Sequence, residues 1–595
     1  MKEHVDDKLY RMRHSLSHVL ATAVKELHPD AQLGIGPPID TGFYYDFVFP
    51  TPITLEDLPK LEKRMKHFVK QNIAFERFEL PGDEALQKLE AAHEPYKIEM
   101  CREYLAAGEA ISFYKSGPFV DMCEGPHVES TNQIPADAFE LDSIAGAYWR
   151  GDEHNVMMTR IYGLAFATKE ELDLFKKRRA IAQERDHRKL GKELQIFTIA
   201  EEVGKGLPLW LPNGGAIRRE LEKLAYEAEF RQEYKFVNTP HITRGELYEI
   251  SGHLEHYKDS MYPPMELDNE QYFMKPMNCP HHHMIYRTVA HSYRDLPLRL
   301  SEYGSVYRFE KSGELAGLLR VRGMTMNDAH LYVDDERLLE ELVKVMDLHK
   351  YYYDLFGMEN YWVRLSTHDL TKDKFVENAA LWDSTIVTMR DVLKEIGLPY
   401  EEVAGEAAFY GPKIDFQVTN VIGREETAST NQLDFTSGQR FSLRYIGRDG
   451  QEKIPYIIHR APLGTHERFI SFLIEHYGGA FPTWLAPLQV LIVPVAPEMY
   501  EYAVKLRKEL HDRFVRVEVD DSHDSFNKKI RNASTAKVPN VLVLGGREKE
   551  NETVTLRRYG VKEQKTMPFA EFVAWLDDEI RLRRNSKPIN PLEKL

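Results

Sequence analysis

The sequence predicts a multidomain protein of mixed α+β and α/β class, on three observations. Its 595 residues outrun a single core, because domains centre on about 150 residues. The middle of the chain alternates short β-type runs, such as Val306-Tyr-Arg-Phe309 and Leu318-Leu-Arg-Val321, with long helical stretches. The end of the chain spells β-α-β-α-β: Leu488–Val495, a helix near Met499–Arg513, Val515–Val519, a basic helix from Phe526, and Val541–Leu544. That order is the pattern of a small α/β sandwich.

Taken in order, residues 1–170 combine a helix at Leu16–Leu27 with Gly- and Pro-punctuated strands, Gly34-Ile-Gly-Pro-Pro38 and Phe43-Tyr-Tyr-Asp-Phe47. They form an α+β domain. Residues 171–193 form an exposed basic linking helix: from Phe175 to Glu193 eight basic residues stand against three acidic ones, with no Pro and one Gly. Residues 194–485 form the second mixed body, and 486–595 form the C-terminal sandwich.

Composition excludes whole classes of function. With 43% hydrophobic and 29% charged residues, the chain is neither disordered nor collagenous. The net charge of -16 argues at first against a phosphate-rich partner. Local charge reverses that reading, since residues 487–595 carry 20 Lys/Arg against 17 Asp/Glu and the linking stretch is more basic still. Three cysteines, Cys101, Cys123 and Cys279, cannot frame a disulfide scaffold in so long a chain and suit a reducing cytoplasm. Met1–Leu16 is charged with no apolar run, and the most apolar stretch, Trp484–Ala496, is cut by Pro487 and Pro494, so neither secretion nor a membrane span is expected.

Four motifs offer chemistry. His14-Ser-Leu-Ser-His18 sets two imidazoles on one helical face, and Cys123-Glu-Gly-Pro-His127 adds a thiol and a third imidazole on a loop. The set has the ligand types of a zinc site, although a lone HxxxH is as often two core or surface histidines. Met277-Asn-Cys-Pro-His-His-His283 has no finger-like spacing, and pattern alone favours a structural role. Glu302–Glu310 and Leu318–Arg322 read as two antiparallel strands with Arg308, Glu310 and Arg320 on or near the hairpin. Strand arginines usually face solvent, yet several beside one loop suit a polyphosphate. Last, Arg468 lies in the first turn of an amphipathic helix stopped by Gly478-Gly479. A cation there opposes the helix dipole and hints at a nearby anion.

Together these residues resemble a known family. Met274-Lys-Pro-Met-Asn-Cys-Pro280, the Arg308–Arg322 hairpin, Asn327-Asp-Ala-His330, Tyr410-Gly-Pro-Lys413, Gln432-Leu-Asp-Phe435, His459-Arg-Ala461 and Glu467-Arg468 stand in the order found in bacterial threonyl-tRNA synthetases, class II aminoacyl-tRNA synthetases. The resemblance implies an antiparallel-sheet catalytic core at 194–485, an editing domain at 1–170 and an α/β anticodon-binding domain at 486–595. It implies an ATP-dependent threonine–tRNA ligase that acts on L-threonine, ATP and tRNA(Thr) and removes serine mischarged to that tRNA. It also implies a cytoplasmic homodimer built on the helix near Ala216–Phe230 and Pro240, with no membrane partner.

Residue by residue, the resemblance makes Cys279, His330 and His459 ligands of one Zn²⁺. Met277, Asp328, Tyr410 and Gln432 belong to the threonine pocket. Arg308 matches an α-phosphate contact and Arg468 a γ-phosphate contact, Glu310 and Arg320 lie on the ATP side, and Lys413 assists at the α-phosphate of ATP brought with Mg²⁺. His14, His18, Lys97, Asp121, Cys123 and His127 match the editing site, expected to work without a metal. His523, Glu548 and Arg557 match anticodon contacts, with His523 replacing a family Asn. Departures are Met324 and Met326 beside the pocket, Ala428-Ser-Thr430, and a small N-terminal domain of longer members expected to be absent. These departures motivate one alternative, a paralogue acting mainly as an RNA-binding or inhibitor-resistance protein.

Overall fold

The computed structural model describes residues 8–359, 361–369, 375, 376, 378–419 and 425–584. The chain divides into two compact units, Met1–Arg179 and Ala180–Leu595.

In the first unit, helix Lys8–Leu27 begins earlier than periodicity predicts and buries Met12, Leu16, Leu20 and Val24 at helical spacing. Ser15, His18 and Thr22 are buried too, because a second side of this helix is covered by the loop that carries His127: Ser15 Oγ meets His127 Nδ1 and accepts from Val128 N. Phe43, Tyr45 and Phe47 alternate into the same core from strand Gly42–Val48, which pairs with Met157–Ala165, itself paired with Phe139–Tyr148. A separate three-stranded sheet, Phe75–Leu80, Ile111–Ser116 and Phe119–Met122, delivers the chain to Cys123.

The basic linking stretch is two helices, Lys169–Arg185 and His187–Glu193. The single helix expected over 171–193 breaks at Asp186, whose carboxylate accepts from Arg188 N and caps the second helix.

The second unit is built on an eight-stranded sheet ordered Lys235–Phe236, Leu298–Tyr307, Gly323–Val333, Tyr456–Ala461, Glu425–Asp434, Lys413–Thr419, Tyr361–Thr367 and Tyr400–Ala404. Its central pairs are antiparallel and only the two edge pairs are parallel. The strand expected at Leu318–Val321 is instead part of the connection between Tyr307 and Gly323, where pairing of the long hairpin ends. Gly317, at φ +52, turns the chain there, so local alternation does not make a strand. Helices Pro212–Arg231, Leu338–Phe356 and His466–Tyr477 cover the sheet, and the last stops at Gly478 with φ +56, as its sequence predicts.

Between helix Pro212–Arg231 and the sheet, Glu229 and Arg460, both fully buried, form an ion pair at 3.0 Å. Glu229 also accepts from Ser301 Oγ and Asn327 Nδ2. Removing one partner of such a pair strands the other charge, at about 3–5 kcal/mol. Arg460→Met is therefore expected to lower unfolding stability by that order, and adding Glu229→Gln to recover part of it. Urea titration of the two variants measures both, and an additive double mutant would refute the coupling.

The C-terminal part of this unit is a five-stranded sheet ordered Val517–Val519, Val490–Pro494, Asn540–Leu544, Thr553–Arg558 and Gln564–Pro568. Its first three strands are parallel, as the β-α-β-α-β pattern predicts, and two antiparallel strands extend it.

Candidate active sites

Strand register assembles the site on the large sheet. His330 lies directly opposite His459, and His459 lies opposite Gln432 on its other side, so three neighbouring strands set one row of side chains. Cys279 opens the short helix Cys279–Tyr286 and joins them. Ligand atoms of Cys279, His330 and His459 lie within 4.8 Å of one another, all three residues buried. Asp434 Oδ2 meets His459 Nε2 at 3.0 Å, Tyr410 stacks on the His459 ring at 5.1 Å, and Tyr410 Oη donates to Gln432 Oε1. Asn278 Nδ2 donates to Asp328 Oδ2 at 2.9 Å.

Electrostatics follow burial. Burial pushes the Cys279 thiol well up and the Asp328 carboxyl up, and it presses His330 well down, with His459 and His282 adding to the effect. Burial also acts to raise Asp434, but the hydrogen bond and charge of His459 outweigh it and hold the carboxyl below its ordinary value.

A cavity of about 420 Å³ connects this row to the cations. Arg308, Arg320 and Arg468 line it together with Glu310, Lys413 and Met277. Arg468 is held by Leu319 O and Thr427 O, and burial, with Arg308 beside it, lowers its pKa. Glu310 pairs with Arg320 at 2.8 Å, and Lys413 with Asp415 at 3.0 Å. Like charges gathered in a concave, partly buried space favour an anionic occupant.

The first unit holds a second cluster. Cys123 Sγ lies 3.4 Å from both His14 Nε2 and His127 Nε2, and His18 completes a set within 4.8 Å. His14 Nδ1 is held by Pro126 O at 3.2 Å. Lys97 Nζ pairs with Asp121 at 2.9 Å, both buried, and Tyr45 Oη donates to Asp121 at 2.6 Å. Burial lowers His14 to about 4 and pushes Cys123 up to about 12, and it presses His18 and His127 well down. At neutral pH this cluster is uncharged beside one buried ion pair.

Of the residues matched to anticodon contacts, one lies on the small sheet and two on the segments that join its strands. Glu548 accepts from Gly545 N and Thr555 Oγ1, Arg557 sits on strand Thr553–Arg558, and His523 is an exposed residue between strand Val517–Val519 and helix Phe526–Thr535.

Comparison with known proteins agrees with this layout. The class II core domain family of tRNA synthetases (G, H, P, S and T) matches residues 264–477, an anticodon binding domain family 489–579, and the threonyl and alanyl tRNA synthetase second additional domain 111–162. Threonine–tRNA ligase of Anoxybacillus flavithermus (strain DSM 21510 / WK1) is 48% identical over 572 residues, covering 96% of this chain and 88% of that protein. The ligase of Geobacillus kaustophilus (strain HTA426) is 48% identical over 575 residues, with the same coverage. The chain belongs to the threonine–tRNA ligase family. The crystal structure of the RNA binding domain of threonyl-tRNA synthetase from Cryptosporidium parvum Iowa II superposes with a TM-score of 0.63 at 33% identity, covering 66% of this chain and 98% of that one.

Within this ligase framework the RNA-binding or inhibitor-resistance paralogue is not favoured: the chain matches threonine–tRNA ligases over nearly its whole length and carries the second additional domain match, and both His/Cys clusters and the cationic cavity lining are present. Met324 packs with Val306 and Val321, and Met326 lies against them, so both departures fill a small apolar cluster at the cavity wall. Three residues escaped sequence reasoning. Asp434 was accessible through period-two alternation from Gln432, and Tyr45 through alternation within Phe43–Phe47. His253 follows Gly252, at φ +78, and reaches Met277 Sδ at 3.2 Å; nothing in its local pattern announces it.

Proposed function

We propose that this threonine–tRNA ligase activates L-threonine with ATP on the large sheet, carries it to tRNA(Thr), and hydrolyses mischarged Ser-tRNA(Thr) at the cluster of the first unit. The observation that carries this reading is the Cys279–His330–His459 row sharing one cavity with Arg308 and Arg468.

Zn²⁺ fits the row. Two imidazoles and one thiol converge, the Asp434 carboxylate backs one imidazole, and three protein ligands leave coordination open for substrate. Bound there, zinc would supply an electrophile for the amino and hydroxyl groups of threonine, a pair of donors that valine, lacking the hydroxyl, does not offer. Asp328, steadied by Asn278, accepts the threonine hydroxyl hydrogen, and Met277, Tyr410 and Gln432 close the pocket. ATP enters as its magnesium complex. Arg308 and Lys413 face the α-phosphate and Arg468 the γ-phosphate, with Glu310 orienting Arg320. The threonine carboxylate attacks the α-phosphorus, the α–β bridging bond breaks, and pyrophosphate leaves as these cations take up the developing charge.

In the first unit, His14, His18, Cys123 and His127 position and activate water without a metal, and Lys97 with Asp121 orients the substrate. His523, Glu548 and Arg557 read the anticodon. Of the domain limits 1–170, 171–193, 194–485 and 486–595, the linking stretch is supported by the unit boundary falling within it, and the limit at 485/486 by the family matches that end at 477 and begin at 489. A homodimer is supported by Tyr226 and Phe230, stacked and exposed on helix Pro212–Arg231. Among the described residues no helix is long and apolar enough to cross a membrane. The three free cysteines support a cytoplasmic setting.

ATP–pyrophosphate exchange on the full-length protein tests the synthetic half. Exchange is expected with threonine and not with valine; exchange with neither would overturn the assignment.

A further inference from the structure

Beside His330 runs a buried polar chain that the ligand assignment leaves unused. His330 Nδ1 meets His282 Nδ1 at 2.9 Å, and His282 Nε2 meets Glu302 Oε2 at 3.1 Å. Glu302 also faces Thr239 N at 2.8 Å, the Thr239 hydroxyl at 2.8 Å and Lys275 Nζ at 3.6 Å. His282 and Lys275 have no exposed surface, and Glu302 retains 4%. A polar chain so enclosed is stable only if every donor meets an acceptor.

That requirement assigns each hydrogen. Glu302 is surrounded by donors, from Thr239 and Lys275, so its carboxylate only accepts. His282 Nε2 must then carry a hydrogen and donate to it. The 2.9 Å contact between the two Nδ1 atoms needs one donor and one acceptor. With the ring hydrogen of His282 spent on Glu302 through Nε2, His282 presents Nδ1 as the acceptor, and the hydrogen between the two rings belongs to His330 Nδ1. His330 Nε2 is left as a bare lone pair.

We propose that His282 and Glu302 are positioning residues of the metal centre, fixing His330 as its Nδ1–H tautomer so that the Nε2 lone pair faces Cys279 and His459. Each ligand imidazole then ends on a carboxylate: His459 directly on Asp434, and His330 through His282 on Glu302. Such outer partners hold ring orientation and raise ligand basicity, and their loss typically weakens metal binding 10–100-fold. Thr239, next to Pro240, ties the far end of the chain to the segment after helix Pro212–Arg231, so the ligand's orientation is anchored outside the sheet.

This inference rests on the zinc reading, and the experiment separates the two. Metal-stripped full-length protein is titrated with zinc against a chelating dye, and with cobalt to read the visible ligand-field bands. In His282→Phe the acceptor is gone, and zinc affinity is expected to fall about 10–100-fold, with altered cobalt bands and a raised KM for threonine at an unchanged KM for ATP. His282→Asn keeps an acceptor where Nδ1 stood and is expected to recover most of the loss. Wild-type affinity in His282→Phe, or equal losses in both variants, would overturn the inference. Should thermal unfolding show that His282→Phe does not fold, Glu302→Gln serves: its amide can also donate to His282, releasing the tautomer, so unchanged zinc affinity there is equally fatal. A wild-type protein that takes no zinc overturns the metal reading and this inference with it.

Discussion

Cys279→Ala is expected to empty the protein of zinc and to lower threonine-dependent ATP–pyrophosphate exchange about 10³-fold or more, while hydrolysis of Ser-tRNA(Thr) continues at the wild-type rate. Cys279 is the only thiol of its cluster, and two imidazoles alone make a poor zinc site. An electrophile that organises substrate is worth several kcal/mol, and about 4 kcal/mol corresponds to about 10³ in rate. Selectivity should fall with rate, because Asp328 alone then tests for a hydroxyl: the preference for threonine over valine is expected to shrink. Zinc analysis of the same variant tests the metal-free editing cluster. Stoichiometric zinc in Cys279→Ala would mean that His14, His18, Cys123 and His127 hold it. Exchange unchanged by the substitution would remove Cys279 from the threonine site altogether.

The two clusters differ in how far local sequence could reveal them. His14 and His18 are four apart on a helix, and Cys123 and His127 flank a Gly-Pro turn, so pattern alone assembled each pair; only the fold brought Ser15, and with it the helix, against the His127 loop. Cys279, His330 and His459 come from a helix start and two strands separated by more than a hundred residues. Their meeting depends on the register His330↔His459, which no spacing encodes, and only the family resemblance anticipated it. Arg468 was legible physically, as a cation at the wrong end of a helix, and the cavity supplies the anion-binding surroundings that explain it. Expectations failed where local and tertiary signals diverge. Leu318–Val321 alternates like a strand but sits beyond the last pair, Tyr307↔Gly323. The linking helix has uniform helix-forming composition, yet Asp186 finds a better use for its carboxylate as a cap. Edge strands such as Lys235–Phe236, two residues long, carry too little pattern to be seen at all.

His14→Ala is expected to leave threonine charging intact and to make Ser-tRNA(Thr) accumulate. Serine keeps the hydroxyl that the synthetic site tests for and lacks one methyl group, a difference worth about 1–3 kcal/mol, or about 10–200-fold. Any greater accuracy must come from hydrolysis after transfer. In the first unit His14 Nε2 faces the Cys123 thiol at 3.4 Å while Pro126 O holds Nδ1, so its lone pair is aimed into the cluster. Losing such a group typically lowers a hydrolytic step about 10²–10⁴-fold. The pH profile adds a signature. An ordinary histidine base stops working as pH falls through about 6.5, but burial lowers His14 to about 4. The wild-type hydrolysis rate should therefore hold between pH 6.5 and 5 and decline only as pH approaches 4. A charging assay with threonine or serine, followed by deacylation of preformed Ser-tRNA(Thr) across that range, measures both effects. Equal Ser-tRNA(Thr) accumulation in wild type and variant would end the editing assignment, and an acid limb centred near 6.5 would show that the working histidine is not the buried one.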